Sequence, residues 1–215
     1  MIVFLDIDGV LDSLNWFKSP LRRLRKNYRT EMATYISPRN LFWVSLFCKI
    51  TKAKVVLSSS WRYGWNEDGT ICQDNKGRSV VPTDKLLRKH GMPIYSVTPS
   101  VAELKNEYEI DWSIVPDSFM QFHDDEKNEL VISKEKFIKY ARGAQILAWI
   151  EQHNYNDYFQ IFEDDYSDVI CFKCLDKHTI KSRFYGRNAG FGYKQFIIAM
   201  KRYKKWMKQK KQNKN

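Results

Sequence analysis

With 215 residues, 43% of them hydrophobic and 28% charged, the chain has room for one well-buried domain and a modest insertion. No run approaches the roughly 20 apolar residues that cross a bilayer, and the apolar residues 1–5 are too few for a signal peptide, so a cytoplasmic protein with no membrane partner is expected. A formal net charge of +11 points to a polyanionic partner such as a nucleic acid, although a bias toward Lys, Asn, Ile, Tyr and Phe, as AT-rich coding DNA produces, would give the same balance.

Residues 1–5 are rich in β-formers and read as a strand buried on both faces, as in a parallel sheet. The run stops at Asp6-Ile7-Asp8-Gly9. Residues 15–38 are polar and basic, with Arg22, Arg23, Arg25, Lys26 and Arg29 close together. Ser37 before Pro38 reads as an N-cap and first helical position, opening a helix through Leu41, Val44, Leu46 and Phe47 to about Ile50. Residues 53–57 give a second strand, stopped by Ser58-Ser59-Ser60-Trp61-Arg62. A helix from Pro82 to about His90 ends at Gly91, and residues 94–97 give a third strand. Residues 98–140 lack clear periodicity, and about 101–139 read as an insertion. Helical spacing resumes at Lys134 and runs on to about Gln152. Residues 158–162 and 169–172 are the fourth and fifth strands, the fourth ending in Glu163-Asp164-Asp165. A glycine-rich turn (Gly186, Gly190, Gly192) leads to a last helix from Tyr193 to about Trp206. Residues 201–215 are a basic helix end and frayed tail beyond a single domain over residues 1–200.

This alternation predicts an α/β fold, a Rossmann-like three-layer sandwich around a central, mostly parallel five-stranded sheet with a small insertion. Ligands in such folds sit at the carboxyl ends of the strands. Three predicted strands end there in carboxylates or hydroxyls: Asp6 and Asp8, Ser58, and Asp164 with Asp165. Asp6 and Asp8, one residue apart on extended chain, point to the same side, and Gly9 lets the chain turn sharply beside a ligand. Carboxylates gathered in this way repel unless a cation sits among them, and hard oxygen donors favour Mg²⁺.

Asp6-Ile7-Asp8-Gly9-Val10-Leu11 resembles the first motif of haloacid dehalogenase (HAD) superfamily hydrolases. Ser58, after Val55-Val56-Leu57, resembles the second motif, and Glu163-Asp164-Asp165 the fourth. The run from Val56 through Ser58-Ser59-Ser60-Trp61-Arg62, with Arg142-Gly143-Ala144-Gln145-Ile146 leading to Trp149, is similar to a bacterial and phage HAD subgroup with domains in RNA-repair proteins. The resemblance implies that Asp6 attacks phosphorus and forms an aspartyl-phosphate, while Asp8 acts as general acid and then base. It implies Mg²⁺ held by Asp6, the Asp8 carbonyl, and Asp164 or Asp165. Ser58, or Ser59 if the strand ends one residue later, would bond a phosphoryl oxygen. Arg142 would supply the third-motif cation, with Lys139 the alternative. Arg62 would either reach a second anionic group of the substrate or be a surface arginine.

Other signals are weaker. Cys171, Cys174 and His178 have metal-like spacing but no fourth ligand, and all four cysteines, with Cys48 and Cys72, read as reduced thiols. The glycines around Arg187 and Asn188 lack the Lys-Ser/Thr ending of a phosphate loop. His123-Asp124-Asp125-Glu126 reads as a solvated loop, and Trp61, Tyr63 and Trp65 as packing rather than base-stacking residues. Two functions follow. One is a Mg²⁺-dependent phosphatase acting on a phosphorylated nucleotide or nucleic-acid end. The alternative is a non-catalytic nucleic-acid-binding module on the same fold, which would not require Asp6, Asp8, Ser58 and the acidic pair to be intact.

Overall fold

The computed structural model describes residues 1–20, 35–62, 64–66, 68–72, 82–124, 128–164, 167–186 and 189–213. The basic group at Arg22, Arg23, Arg25, Lys26 and Arg29 lies outside them, as do Tyr63, Asp125, Glu126, Asp165, Arg187 and Asn188. In chain order the elements are β1 (Ile2–Leu5), α1 (Leu14–Phe17), α2 (Pro38–Thr51), β2 (Lys54–Leu57), α3 (Pro82–Lys89), β3 (Ile94–Val97), α4 (Asp117–Met120), β4 (Gln121–Asp124), β5 (Glu129–Ile132), α5 (Lys134–Tyr140), α6 (Arg142–Gln152), β6 (Phe159–Glu163), α7 (Ser167–Ile170), α8 (Lys173–Asp176), β7 (Thr179–Lys181) and α9 (Tyr193–Gln212). Short 3₁₀ turns occupy Ser60–Arg62 and Trp112–Ile114. No helix among the described residues is long and apolar enough to cross a membrane.

A parallel five-stranded sheet in the order β3-β2-β1-β6-β7, flanked by helices, makes this the expected α/β, Rossmann-like fold. β1 is central because all four of its residues are buried, and only a strand covered on both faces can be so uniformly apolar. Leu5 lies opposite Leu57 of β2 on one side and Phe162 of β6 on the other, so three strands end level with one another.

The chain divides into two compact units. The first comprises Met1–Val97, Asp157–Asp164 and Ile180–Asn215, and the second Thr98–Asn156 and Asp165–Thr179. In the first, Leu41, Val44 and Phe47 of α2 pack with Val3, Leu5, Leu57 and Phe162 from the sheet. Phe162 sits with its ring centroid 5.3 Å from Phe47 and 4.3 Å from Phe191. α2 starts where the Ser37–Pro38 pair predicts: the Ser37 hydroxyl accepts from the Asn40 N–H, satisfying one otherwise orphaned donor. α3 also follows its prediction and ends before Gly91, which takes φ +73.

The second unit holds an antiparallel β4–β5 hairpin with α4 to α8, so the aperiodic stretch forms short elements of its own. The single helix expected from Lys134 to Gln152 is two. Ala141 leaves the helical region (ψ 136), its N–H closing α5 on the Phe137 carbonyl while its own carbonyl opens α6 by accepting from Gln145. Hydrophobic periodicity carries across such a break, because the register of apolar positions is nearly kept.

The strand expected at residues 169–172 is a second correction. Ser167–Ile170 is a helical turn, and Phe172 makes only an isolated bridge to Ile110. Val169, Cys171 and Phe172 are buried as a strand would be, and a four-residue apolar run cannot by burial alone distinguish the two. The fifth strand is β7, where Thr179 and Ile180 are β-branched and buried, and the Ser182 N–H just past it bonds the Glu163 carbonyl. α9 runs to Gln212, past the predicted end near Trp206.

Candidate active site

The ladder bonds that end the sheet also place the polar residues. The Asp6 N–H donates to the Phe162 carbonyl at 3.0 Å, and the Ser58 N–H donates to the Leu5 carbonyl at 2.9 Å. Asp6, Ser58 and Glu163 therefore each follow or close a strand at the same carboxyl edge of the first unit. All three are nearly fully buried.

After Asp6 the chain folds back at once. The N–H groups of Val10, Leu11 and Asp12 all point at the Ile7 carbonyl, and Gly9 takes φ +63. A Cβ on Gly9 would lie 1.9 Å from Asp164 Oδ2, so glycine is what admits the Asp164 side chain at this point. Ser182 ties the two segments together, its hydroxyl donating to the Gly9 carbonyl at 2.9 Å. The result is a group of three carboxylates, Asp6, Glu163 and Asp164, whose nearest oxygens all lie within 4.8 Å of one another.

Two residues that sequence reasoning gave no role at the site belong to it. Asp12 is buried, and its Oδ1 accepts the Gly9 N–H at 2.6 Å. Burial pushes its carboxyl up to about 8; the Gly9 bond opposes this, while Asp8 and Asp6 beside it add to it. Its position six residues after Asp6, across a glycine turn, was the available signal. Trp61, read as packing, donates its indole N–H to both Asp8 oxygens, at 2.9 and 3.0 Å. Ser60 Oγ adds a bond to Asp8 Oδ2 at 3.3 Å. No spacing rule links a strand-end aspartate to a tryptophan 53 positions on.

Glu163 was read as part of a motif and not as a ligand; here it joins the carboxylate group, with its Oε1 also accepting from the Asp164 N–H at 3.1 Å. The Ser59 hydroxyl accepts from the Trp61 N–H at 3.3 Å, and its carbonyl accepts from Arg62 Nη1 at 3.4 Å. Arg62 is half-buried beside it. Arg142 and Lys139 belong to the second unit. There the Arg142 N–H donates to Asp168 Oδ2 at 3.1 Å, and Lys139 pairs with Glu135 along α5. Among the described residues Asp6, Glu163 and Asp164 are the one group of three acidic, histidine or cysteine side chains that can share an ion. Cys171, Cys174 and His178 form no such group, and burial pushes the Cys171 thiol up to about 12, away from the thiolate a metal needs.

The family model for the HAD domain in Swiss Army Knife RNA repair proteins matches residues 2–186, a span that takes in every strand and the whole carboxylate edge. No curated protein and no solved structure matches the chain. With the match covering most of its length, the chain belongs to the HAD domain family of Swiss Army Knife RNA repair proteins, a family of HAD-type phosphohydrolases.

Proposed function

We propose that the chain is a Mg²⁺-dependent phosphomonoesterase working through an aspartyl-phosphate on Asp6, with a phosphorylated nucleotide or a nucleic-acid end as substrate. The observation that carries this reading is the carboxylate group at the sheet edge, Asp6, Glu163 and Asp164 within 4.8 Å. Three carboxylates so placed repel one another unless a cation lies among them. All-oxygen donors of this kind fit Mg²⁺, which Asp6, Glu163 or Asp164, and the Asp8 carbonyl would hold. Bound there, the ion offsets the repulsion between a carboxylate nucleophile and a phosphate dianion.

The chemistry of the chain's own residues follows. An Asp6 oxygen attacks phosphorus, the bond to the leaving oxygen breaks, and Asp8 passes its proton to that oxygen. Water then attacks the phosphoryl group, gives its proton to Asp8, and releases phosphate as the Asp6–phosphorus bond breaks. In this reading Ser58 bonds a phosphoryl oxygen, Gly9 leaves the backbone open to the substrate, and Arg62 meets a second anionic group. Arg142 is kept as the cation of the third motif, with Lys139 the alternative.

The test is phosphate release with Mg²⁺ and with a chelator, from p-nitrophenyl phosphate, nucleoside monophosphates and oligonucleotides phosphorylated at either end. Release is expected only with Mg²⁺, restored when the ion is returned. No release from any substrate would remove the enzymatic reading and favour the non-catalytic binding module.

The Trp61 contact adds a finer expectation. A carboxylate held through both oxygens by one indole N–H has a fixed orientation, and Asp8 must present the same oxygen to the leaving group and then to water. General acid–base catalysis is worth roughly 10²–10⁴-fold, so losing the hold on Asp8 in Trp61→Phe should lower kcat on the order of 10-fold with little change in KM. A rise in KM with kcat unchanged would instead make Trp61 a substrate-stacking residue.

A further inference from the structure

The C-terminal helix carries a charge pattern that its packing does not use. α9 spans 20 residues and contains no Asp or Glu. One side is committed to the first unit: Ala199 is buried, Phe196, Met200 and Tyr203 pack against the core, and Trp206 stacks on Tyr158 with ring centroids 4.9 Å apart. Lys210 continues that side, pairing with Asp157 at 3.1 Å. These positions recur every three or four residues and form one stripe along the helix.

Lys201, Lys204, Lys205, Lys208 and Lys211 lie off that stripe and are all exposed. Their spacing of i, i+3, i+4, i+7 and i+10 puts them on a shared face. Among the described residues none of the five is paired with a carboxylate. Like charges three and four apart weaken a helix, and here no acidic neighbour relieves them. The helix lies outside the segment matched by the family.

We propose that this lysine stripe is a docking track for the sugar–phosphate backbone of a nucleic acid. The proposal deepens, and for its catalytic meaning rests on, the nucleic-acid-end reading of the substrate. From Lys201 to Lys211 the stripe extends about 15 Å, at roughly 1.5 Å per residue. Each exposed lysine can neutralise one phosphate of a strand laid along it, so replacing four of them removes up to that number of phosphate contacts. The helix also has a direction. Near its start Gln195 donates to the carbonyl of Lys181 at the end of β7, and further on Trp206 meets Tyr158, just before β6. α9 therefore runs antiparallel to the strands, and Gln160 near the start of β6 already bonds the Ala199 carbonyl. The stripe thus lies at the amino edge of the sheet, and only a nucleic acid long enough to run back along the first unit reaches the carboxylate edge from it.

The test is fluorescence anisotropy of a labelled single-stranded RNA oligonucleotide across a salt series, for the full chain and the variant K201Q/K204Q/K205Q/K208Q. Each neutralised phosphate adds about 0.7 to the slope of log affinity against log salt. The variant should lose a slope of about 3, and the wild type should lose about 50-fold more affinity than the variant between about 50 and 200 mM salt. A Lys→Arg variant at the same four positions keeps the charge and should bind as wild type does, which separates lost charge from a damaged helix. Equal slopes for wild type and the Gln variant would overturn the proposal. Stronger capture by phosphatidylserine vesicles than by the oligonucleotide, lost in the same variant, would overturn it in favour of a membrane surface. The assay needs no turnover, so failure of the phosphatase reading and failure of the docking track are read separately.

Discussion

Asp6→Asn is expected to reduce kcat for phosphate release on the order of 10⁴-fold or more while leaving the fold intact. Asparagine matches aspartate in shape, and the backbone bond that seats Asp6, its N–H to the Phe162 carbonyl, is untouched by the change. Removing one of three carboxylates within 4.8 Å also relieves repulsion, so the metal-free protein should melt no lower than wild type. The change takes away the attacking oxygen, and no concentration of Mg²⁺ can return it. That separates two roles that Asp6 is placed to play. If Asp6 acts only by holding the ion, the lost rate should recover as Mg²⁺ is raised. If it is the nucleophile, the rate should stay low at every Mg²⁺ concentration, and acid-quenched enzyme should carry substrate-derived phosphate in the wild type but not in the variant. Glu163→Gln provides the contrast. It removes a carboxylate from the same group but not the nucleophile, so its loss should appear as a higher Mg²⁺ requirement that saturating ion corrects.

The sheet was legible because its inner strands carry short runs of buried, mostly β-forming residues, such as Ile2–Leu5 and Val55 to Leu57. Residues 1–5 and 53–57 admit no helix of useful length, and each ends at a sharp polar boundary. Capping chemistry made α2 legible through Ser37 and Pro38, and a glycine in left-handed backbone marked the end of α3 at Gly91. What misled was local ambiguity resolved only by tertiary contact. Residues 169–172 satisfy burial as a helical turn as well as they would as a strand, and β7 has three residues with a lysine at its end. Ala141 breaks a helix by its own backbone angle, and the nearby Gly143 is itself helical and does not mark the break. At the site, residues consecutive with a strand end were readable, since strand ends in a parallel sheet share one edge. Trp61 and Asp12 reach Asp8 and Gly9 through turns whose paths the sequence does not specify.

Gly9→Ala is the second change with a large expected effect, and Gly91→Ala is its control. Both glycines sit in left-handed backbone, at φ +63 and +73. An L-residue there costs roughly 1–2 kcal/mol, so both variants should lose a few degrees in Tm, at roughly 2–4 °C per kcal/mol for a chain of this size. Their surroundings differ completely. A Cβ at Gly91 meets nothing within 4 Å, whereas at Gly9 it would lie 1.9 Å from Asp164 Oδ2 and 2.5 Å from Asp164 Cβ. A short side chain overlapped that close to its own backbone cannot yield by bending its tip, and Asp164 must swing out of the carboxylate group. Gly9→Ala should therefore also lose on the order of 10²-fold in activity, with a raised Mg²⁺ requirement, while Gly91→Ala keeps wild-type activity. If the two variants lose stability alike and Gly9→Ala still turns over at the wild-type rate, Asp164 is not part of the working site. The ion-holding role would then pass to Asp6 and Glu163.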